Sequence, residues 1–100
     1  MATGLDFAEY VQEKLSGAGK IRIKKMFGEY GVYCNDQYFA AICDNQLLIK
    51  ITEAGKKVIP NCPTAPPYDG AKSMFLIEDL ENRELLEKLT LVTCENLPKK

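Results

Sequence analysis

The chain has 100 residues, the size of one domain with no room for a second independent core. Its composition, 46% hydrophobic and 27% charged, is that of a folded globular protein and excludes a disordered tail. Thirteen basic against fourteen acidic residues leave a net charge of -1, which argues against a domain that grips nucleic acid by charge alone.

The opening residues, MATGLDFAEYVQEKL, lack a basic leader followed by an apolar run, and no stretch approaches the roughly 20 apolar residues of a bilayer span. A cytoplasmic location without membrane contact is expected, with Cys34, Cys43, Cys62 and Cys94 as reduced thiols. Those four are irregularly spaced, form no C-x-x-C pair and have no histidine to assist them. A structural zinc would need all four to converge, so no metal or cofactor is expected.

Along the chain, Leu5, Ala8, Val11 and Leu15 recur at helical spacing, with Thr3 and Asp6 as a capping arrangement and Gly17-Ala18-Gly19 as the stop. Strands are expected over Lys20–Phe27, Tyr30–Cys34, Tyr38–Cys43 and Leu47–Ile51, separated by Asn-Asp and Asp-Asn turn signals. A short helix follows between Thr52 and Ile59, closed by Pro60. The proline-rich NCPTAPPYDGA is too punctuated for regular structure. A fifth strand, Ser73–Glu78, precedes a last amphipathic helix with Asp79 as cap and Leu85, Leu86, Leu89 and Val92 as its stripe. Short links between the first four strands require antiparallel hairpins. The order α-β-β-β-β-α-β-α predicts a two-layer α+β domain over residues 1–100, a five-stranded, mainly antiparallel sheet with helices on one face.

Register divides that sheet into two faces. A type II′ turn at Gly28-Glu29 pairs Phe27 with Tyr30 and Ile23 with Cys34. Ile21, Ile23, Phe27, Tyr30, Val32 and Cys34 then share the core face, with Lys25 as the misfit, while Lys20, Arg22, Lys24, Met26, Gly31 and Tyr33 share the other. A three-residue loop Asn35-Asp36-Gln37 puts Ala40 and Ile42 on the core face, and a tight turn at Asp44-Asn45 adds Leu47, Ile49 and Ile51. The opposite face receives Phe39, Ala41, Cys43, Leu48 and Lys50, more apolar than water alone would select. An exposed apolar patch marks an interface unless the chain's own segments roof it. The expected docking residues are Met26, Tyr33, Phe39 and Leu48 as anchors, Arg22 and Lys24 as a charged rim, and Gly31, which lies inside a strand where a missing side chain marks local packing or a close neighbour.

Catalytic chemistry finds little support. A cysteine nucleophile needs a base, and the chain has no histidine. The carboxylates of EDLENRE, Glu78, Asp79, Glu81 and Glu84, sit where a helix start favours negative charge. The two glycines of GEYG lie between strands rather than at a strand-to-helix turn, so they cradle no phosphate. Lys20, Arg22 and Lys24 beside Tyr33 allow only weak, salt-sensitive nucleic-acid binding, and a small-ligand sensor would need an enclosed pocket near Tyr68 and the proline loop.

KKMFGEYGVYCNDQYFAAICDNQLLIK followed by PPYDGAKSMFLIEDL resembles the N-terminal domain of the TfoX (Sxy) proteins, bacterial regulators associated with natural competence. The most specific part is Met26-Phe27-Gly28-Glu29-Tyr30-Gly31 with the distal Gly70-Ala71-Lys72 and Phe75. The resemblance implies a small antiparallel sheet with helices, no catalytic residues, and a role as accessory factor in transcription regulation. Its implied partner is a DNA-bound activator of the cyclic-AMP receptor protein type. The competence regulators also carry a C-terminal helical domain, whereas this sequence ends at Lys100, so a stand-alone interaction domain is expected. A protein partner, with homodimerisation as a second assembly, is the expected outcome, and direct nucleic-acid binding is not.

Overall fold

Helix α1 (Leu5–Leu15) turns Ala8, Val11 and Leu15 inward as one fully buried stripe. Leu5 departs from expectation: it is 56% exposed, because it lies about a quarter turn from that stripe at 3.6 residues per turn. Gly4 is the N-cap and makes no side-chain capping bond, while Asp6 meets the positive end of the helix dipole. Thr3 lies outside the residues described in this computed structural model, which are 4–26, 29–66, 70–78 and 80–96. A 3-10 turn, Ser16–Ala18, ends the helix, and Gly19 at φ 152° releases the chain into the sheet.

The strands are β1 (Ile21–Met26), β2 (Glu29–Cys34), β3 (Gln37–Cys43), β4 (Gln46–Ile49), β5 (Thr64–Ala65) and β6 (Met74–Ile77). They lie in the order β1-β2-β3-β4-β6-β5, and every neighbouring pair is antiparallel. The α+β, antiparallel expectation holds, with six strands instead of five. The extra strand comes from the proline-rich segment expected to be irregular. Pro63 and Pro66 confine it to two residues at the sheet edge, since proline cannot donate to a ladder.

In the first hairpin Met26 pairs with Glu29, Lys25 with Tyr30 and Ile23 with Val32. The reversal therefore falls between Met26 and Glu29, one residue earlier than a Gly28-Glu29 turn; Phe27 and Gly28 themselves lie outside the described residues. This register differs from the expected one by two residues, and because strand side chains alternate with period two, the division into faces survives.

The second hairpin closes through a two-residue turn, Asn35-Asp36, with φ of 52° and 68°, the type I′ geometry that matches strand twist. Gln37 is a strand residue opposite Cys34, not part of a three-residue loop. The missing loop residue reappears as a bulge: Tyr33 pairs with Tyr38 but Val32 pairs with Ala40, leaving Phe39 as the extra residue. Ala40 and Ile42 consequently reach the core, as expected. Asp44 and Asn45, at φ 54° and 58°, form a second tight turn and deliver Leu47 and Ile49 to the same core.

Helix α2 (Glu53–Val58) starts at Thr52, whose hydroxyl accepts from Gly55 N at 2.9 Å. Helix α3 (Arg83–Asn96) starts later than Asp79 would cap, and Asp79 lies outside the described residues; Asn82 Oδ1 accepts from Leu85 N at 3.2 Å instead. The buried stripe of α3 is Leu86, Leu89, Thr90 and Thr93, with Leu85 and Val92 half-buried beside it. Arg83 Nη2 donates to Glu13 O at 3.0 Å, satisfying a carbonyl at the end of α1 and tying the two long helices together. One large apolar cluster joins α1 and α3 to the core face of β1–β4 and β6.

Candidate docking surface

The face of the sheet turned away from this cluster is divided by strand pairing into two unlike halves. Across β3, β4 and β6, the pairs Ala41–Leu48 and Leu48–Leu76 bring apolar side chains together. Ala41, Leu48 and Met74 are 5%, 2% and 6% exposed, with Cys43, Ala65 and Leu76 packed around them. The polypeptide itself closes this half. Leu48, expected as an exposed anchor, is therefore inaccessible. Phe39 is displaced further, since the bulge removes it from this face and buries it fully in the main core. Gly31 is buried too, between Lys24 of β1 and Ala41 of β3, so it offers no open notch. The side chain of Met26 lies outside the described residues.

The other half is open. Arg22 pairs with Tyr33 and Tyr33 with Tyr38, so three side chains form a row across β1, β2 and β3. The two tyrosine rings lie 5.5 Å apart and tilted by 57°. Lys50, just after β4, extends the row with its ammonium 4.7 Å from the Tyr38 ring centre, within cation–π range. Lys50 is set there by its own N–H, which donates to Phe39 O at 2.9 Å. Arg22 and Lys24 are exposed, and the tyrosines are half-buried. An open depression of about 460 Å³ is lined by Arg22, Ile23, Lys24, Tyr33 and Asp36. Within it Arg22 Nη1 lies 3.3 Å from Asp36 Oδ1, both side chains well hydrated, so the pair is a weak and easily exchanged one.

Of the residues expected to dock a partner, Arg22, Lys24 and Tyr33 thus come together in the open half. Tyr38 and Lys50 join them, Lys50 expected on this face but not as a docking residue, and Tyr38 not expected here at all. A two-residue reading of Asn35-Asp36 would have revealed Tyr38, because it places Tyr38 directly opposite Tyr33. The second reading of this basic, aromatic surface, a nucleic-acid track, shares these residues.

The thiols offer little nucleophilic chemistry. Burial pushes the Cys43 thiol up, helped by the carboxylates of Glu29 and Asp44. Cys62 is also raised, by burial and then Glu78, although the Leu76 backbone acts in the other direction. Cys94 is pushed up to about 12 by burial, by the adjacent Cys34 and by Glu95. These three thiols stay protonated at neutral pH, where a reactive cysteine would be a thiolate. Among the described residues no group of three or more His, Cys, Asp or Glu side chains is placed to hold a metal ion. Tyr68, around which a ligand pocket was considered, lies outside the described residues.

The TfoX N-terminal domain model matches residues 13–89, which include all six strands. An uncharacterized 12.7 kDa protein from the trpE 5′ region of Spirochaeta aurantia is 33% identical over 99 residues, covering 98% of this chain and 86% of that protein. With a family match across most of its length and the antiparallel α+β fold in place, the chain belongs to the TfoX N-terminal domain family.

Proposed function

We propose that this domain is a non-enzymatic docking module, an accessory factor in bacterial transcription and competence regulation that works in the cytoplasm. Membership of the TfoX N-terminal family supports the regulatory setting. The partner proposed is a DNA-bound activator of the cyclic-AMP receptor protein type. The observation that carries this reading is the row Arg22–Tyr33–Tyr38–Lys50, cationic at both ends, whose two tyrosines and arginine are residue types that interfaces favour. Self-association through this row would bring like charges together, so an acidic surface on a different protein suits it better than a second copy.

Calorimetric titration of a purified activator of this type, bound to its DNA site, tests the proposal. Tyr38→Glu and Tyr33→Glu should each weaken binding by about tenfold or more, whereas Leu91→Glu, at an exposed position on α3, should leave it unchanged. Equal binding by all three variants would place the interface elsewhere. The paired tyrosines also favour a second reading, stacking of single-stranded nucleic acid. Retardation of oligothymidylate that is lost in Tyr38→Ala would support that alternative.

A further inference from the structure

The two edges of the sheet are built differently. One is β5, two residues long and flanked by prolines, a strand too short to template another. The other is β1, which runs six residues in unbroken register with β2 and has no strand beyond it among the described residues. It contains no proline, glycine or bulge to discourage pairing. Charge is its main protection: Lys20, Arg22, Lys24 and Lys25 are four of the thirteen basic residues of the chain, and all four are exposed.

Which backbone groups face outward follows from the ladder. Asn35 N donates to Lys20 O at 2.9 Å, so Lys20 turns its polar groups inward toward the hairpin. Antiparallel alternation then turns those of Arg22 and Lys24 toward β2 and those of Ile21, Ile23 and Lys25 away from it. Gln12 Nε2 caps Ile21 O at 3.0 Å, as an outward carbonyl requires. The backbone groups of Ile23 and Lys25 remain, with no hydrogen-bond partner among the described residues, as two sites for an incoming strand.

We propose that β1 accepts an extended acidic segment of a protein partner as a seventh strand of the sheet. This rests on the reading of the domain as a protein-docking module and specifies how the partner is held. Main-chain bonds to Ile23 and Lys25 supply the pairing, and side chains supply the selection. On the outer face the added strand lies beside Arg22 and Lys24, which favour glutamate or aspartate. On the helix-facing side it lies beside half-buried Ile23, which favours an apolar residue. The preferred segment therefore alternates acidic and apolar residues. A second copy of β1 is disfavoured, because antiparallel self-pairing about Ile23 would set Arg22 opposite Lys24.

The test is fluorescence anisotropy with a labelled short peptide of alternating glutamate and valine, alongside the same peptide N-methylated at alternate positions along its pairing edge. The parent peptide should bind saturably and the N-methylated one about tenfold more weakly or not at all, although the two carry equal charge. In the protein, Lys25→Pro should weaken binding by about tenfold relative to Lys25→Ala, because proline removes an outward N–H at a position where an edge strand tolerates it. The double variant Arg22→Glu, Lys24→Glu should prefer a lysine-valine peptide. Should Lys25→Pro fail to fold, the peptide comparison still decides. Equal binding of both peptides would overturn strand addition in favour of diffuse charge attraction. Oligothymidylate displacing the peptide from the same residues, or a dimer dissociated by Lys25→Pro but not by Lys25→Ala, would overturn it in favour of nucleic acid or a second copy. Retained activator binding alongside failed peptide binding would remove this proposal while leaving the docking function intact.

Discussion

At the residue scale, three buried positions have consequences that composition conceals. Gly55 sits in α2 with Phe75, Thr52 and Leu89 around it; a β-carbon there would lie 3.1 Å from Phe75 Cε2, 3.1 Å from Thr52 Oγ1 and 3.3 Å from Leu89 Cδ1. Alanine would gain about 1 kcal/mol of helix propensity over glycine, yet it would have to push apart contacts on three sides. Overpacking should win, and Gly55→Ala is expected to lower urea stability by about 1 kcal/mol net. Thr90 and Thr93 are the reverse case, fully buried on α3 with hydroxyls that have no hydrogen-bond partner among the described residues. Valine keeps the shape and removes the stranded polar atom. Thr93→Val should therefore raise stability by about 1 kcal/mol in the same measurement. No apolar pattern marked these threonines as core. Their burial follows from helical spacing, since Thr90 and Thr93 stand four and seven residues after the buried Leu86, on the same face as Leu89.

At the element scale, turns decide which side chains face which way. Asp36 and Asn35 both occupy positive φ, a conformation that glycine adopts without strain, and Asn-Gly is the favoured pair for this turn. Asp36→Gly should stabilise the hairpin by about 0.5 kcal/mol, readable as a shifted denaturation midpoint, since the exposed Arg22–Asp36 pair contributes little. The same turn explains what was legible in the sequence. Alternation of apolar residues identified each of the long strands, and a loop miscounted by one residue together with an unforeseen bulge cancelled over most of β3. Tyr38 and Phe39 are where they did not cancel, so one residue of the open row was missed and one core residue was mistaken for surface. A bulge leaves little local signature in a run such as Phe39-Ala40-Ala41-Ile42, where every residue is buried.

The seam between α3 and β2 has its own signature in pH. Cys94, held against Cys34, has its thiol raised from an ordinary 9.0 to about 12 in the folded protein. Above pH 9 the unfolded chain releases this proton while the folded one retains it. The stabilisation is thus complete below about pH 9 and is lost as pH rises toward about 12. Denaturation midpoints followed across that range should fall more steeply for the parent protein than for Cys94→Ala, the comparison that removes the shared titration of lysines and tyrosines. Parallel curves would mean that the thiol is better hydrated than its packing implies.

For the molecule as a whole, the apolar flank inferred from strand alternation exists, but β6 changes its meaning. Met74 and Leu76 complete a small second core with Ala41 and Leu48, and this moves the available surface to the opposite half of the same sheet. Among the described residues no helix is long and apolar enough to cross a membrane. The proposed docking function then depends on a cationic, aromatic end rather than an oily centre, and on which half of the sheet is truly surface. Urea denaturation of Leu48→Glu beside Tyr38→Glu tests that division most directly. Leu48→Glu should lose more than about 3 kcal/mol by forcing a carboxylate into a closed apolar cluster, while Tyr38→Glu stays within about 1 kcal/mol of the parent protein. A tolerated glutamate at position 48 together with a severely destabilising one at position 38 would contradict it.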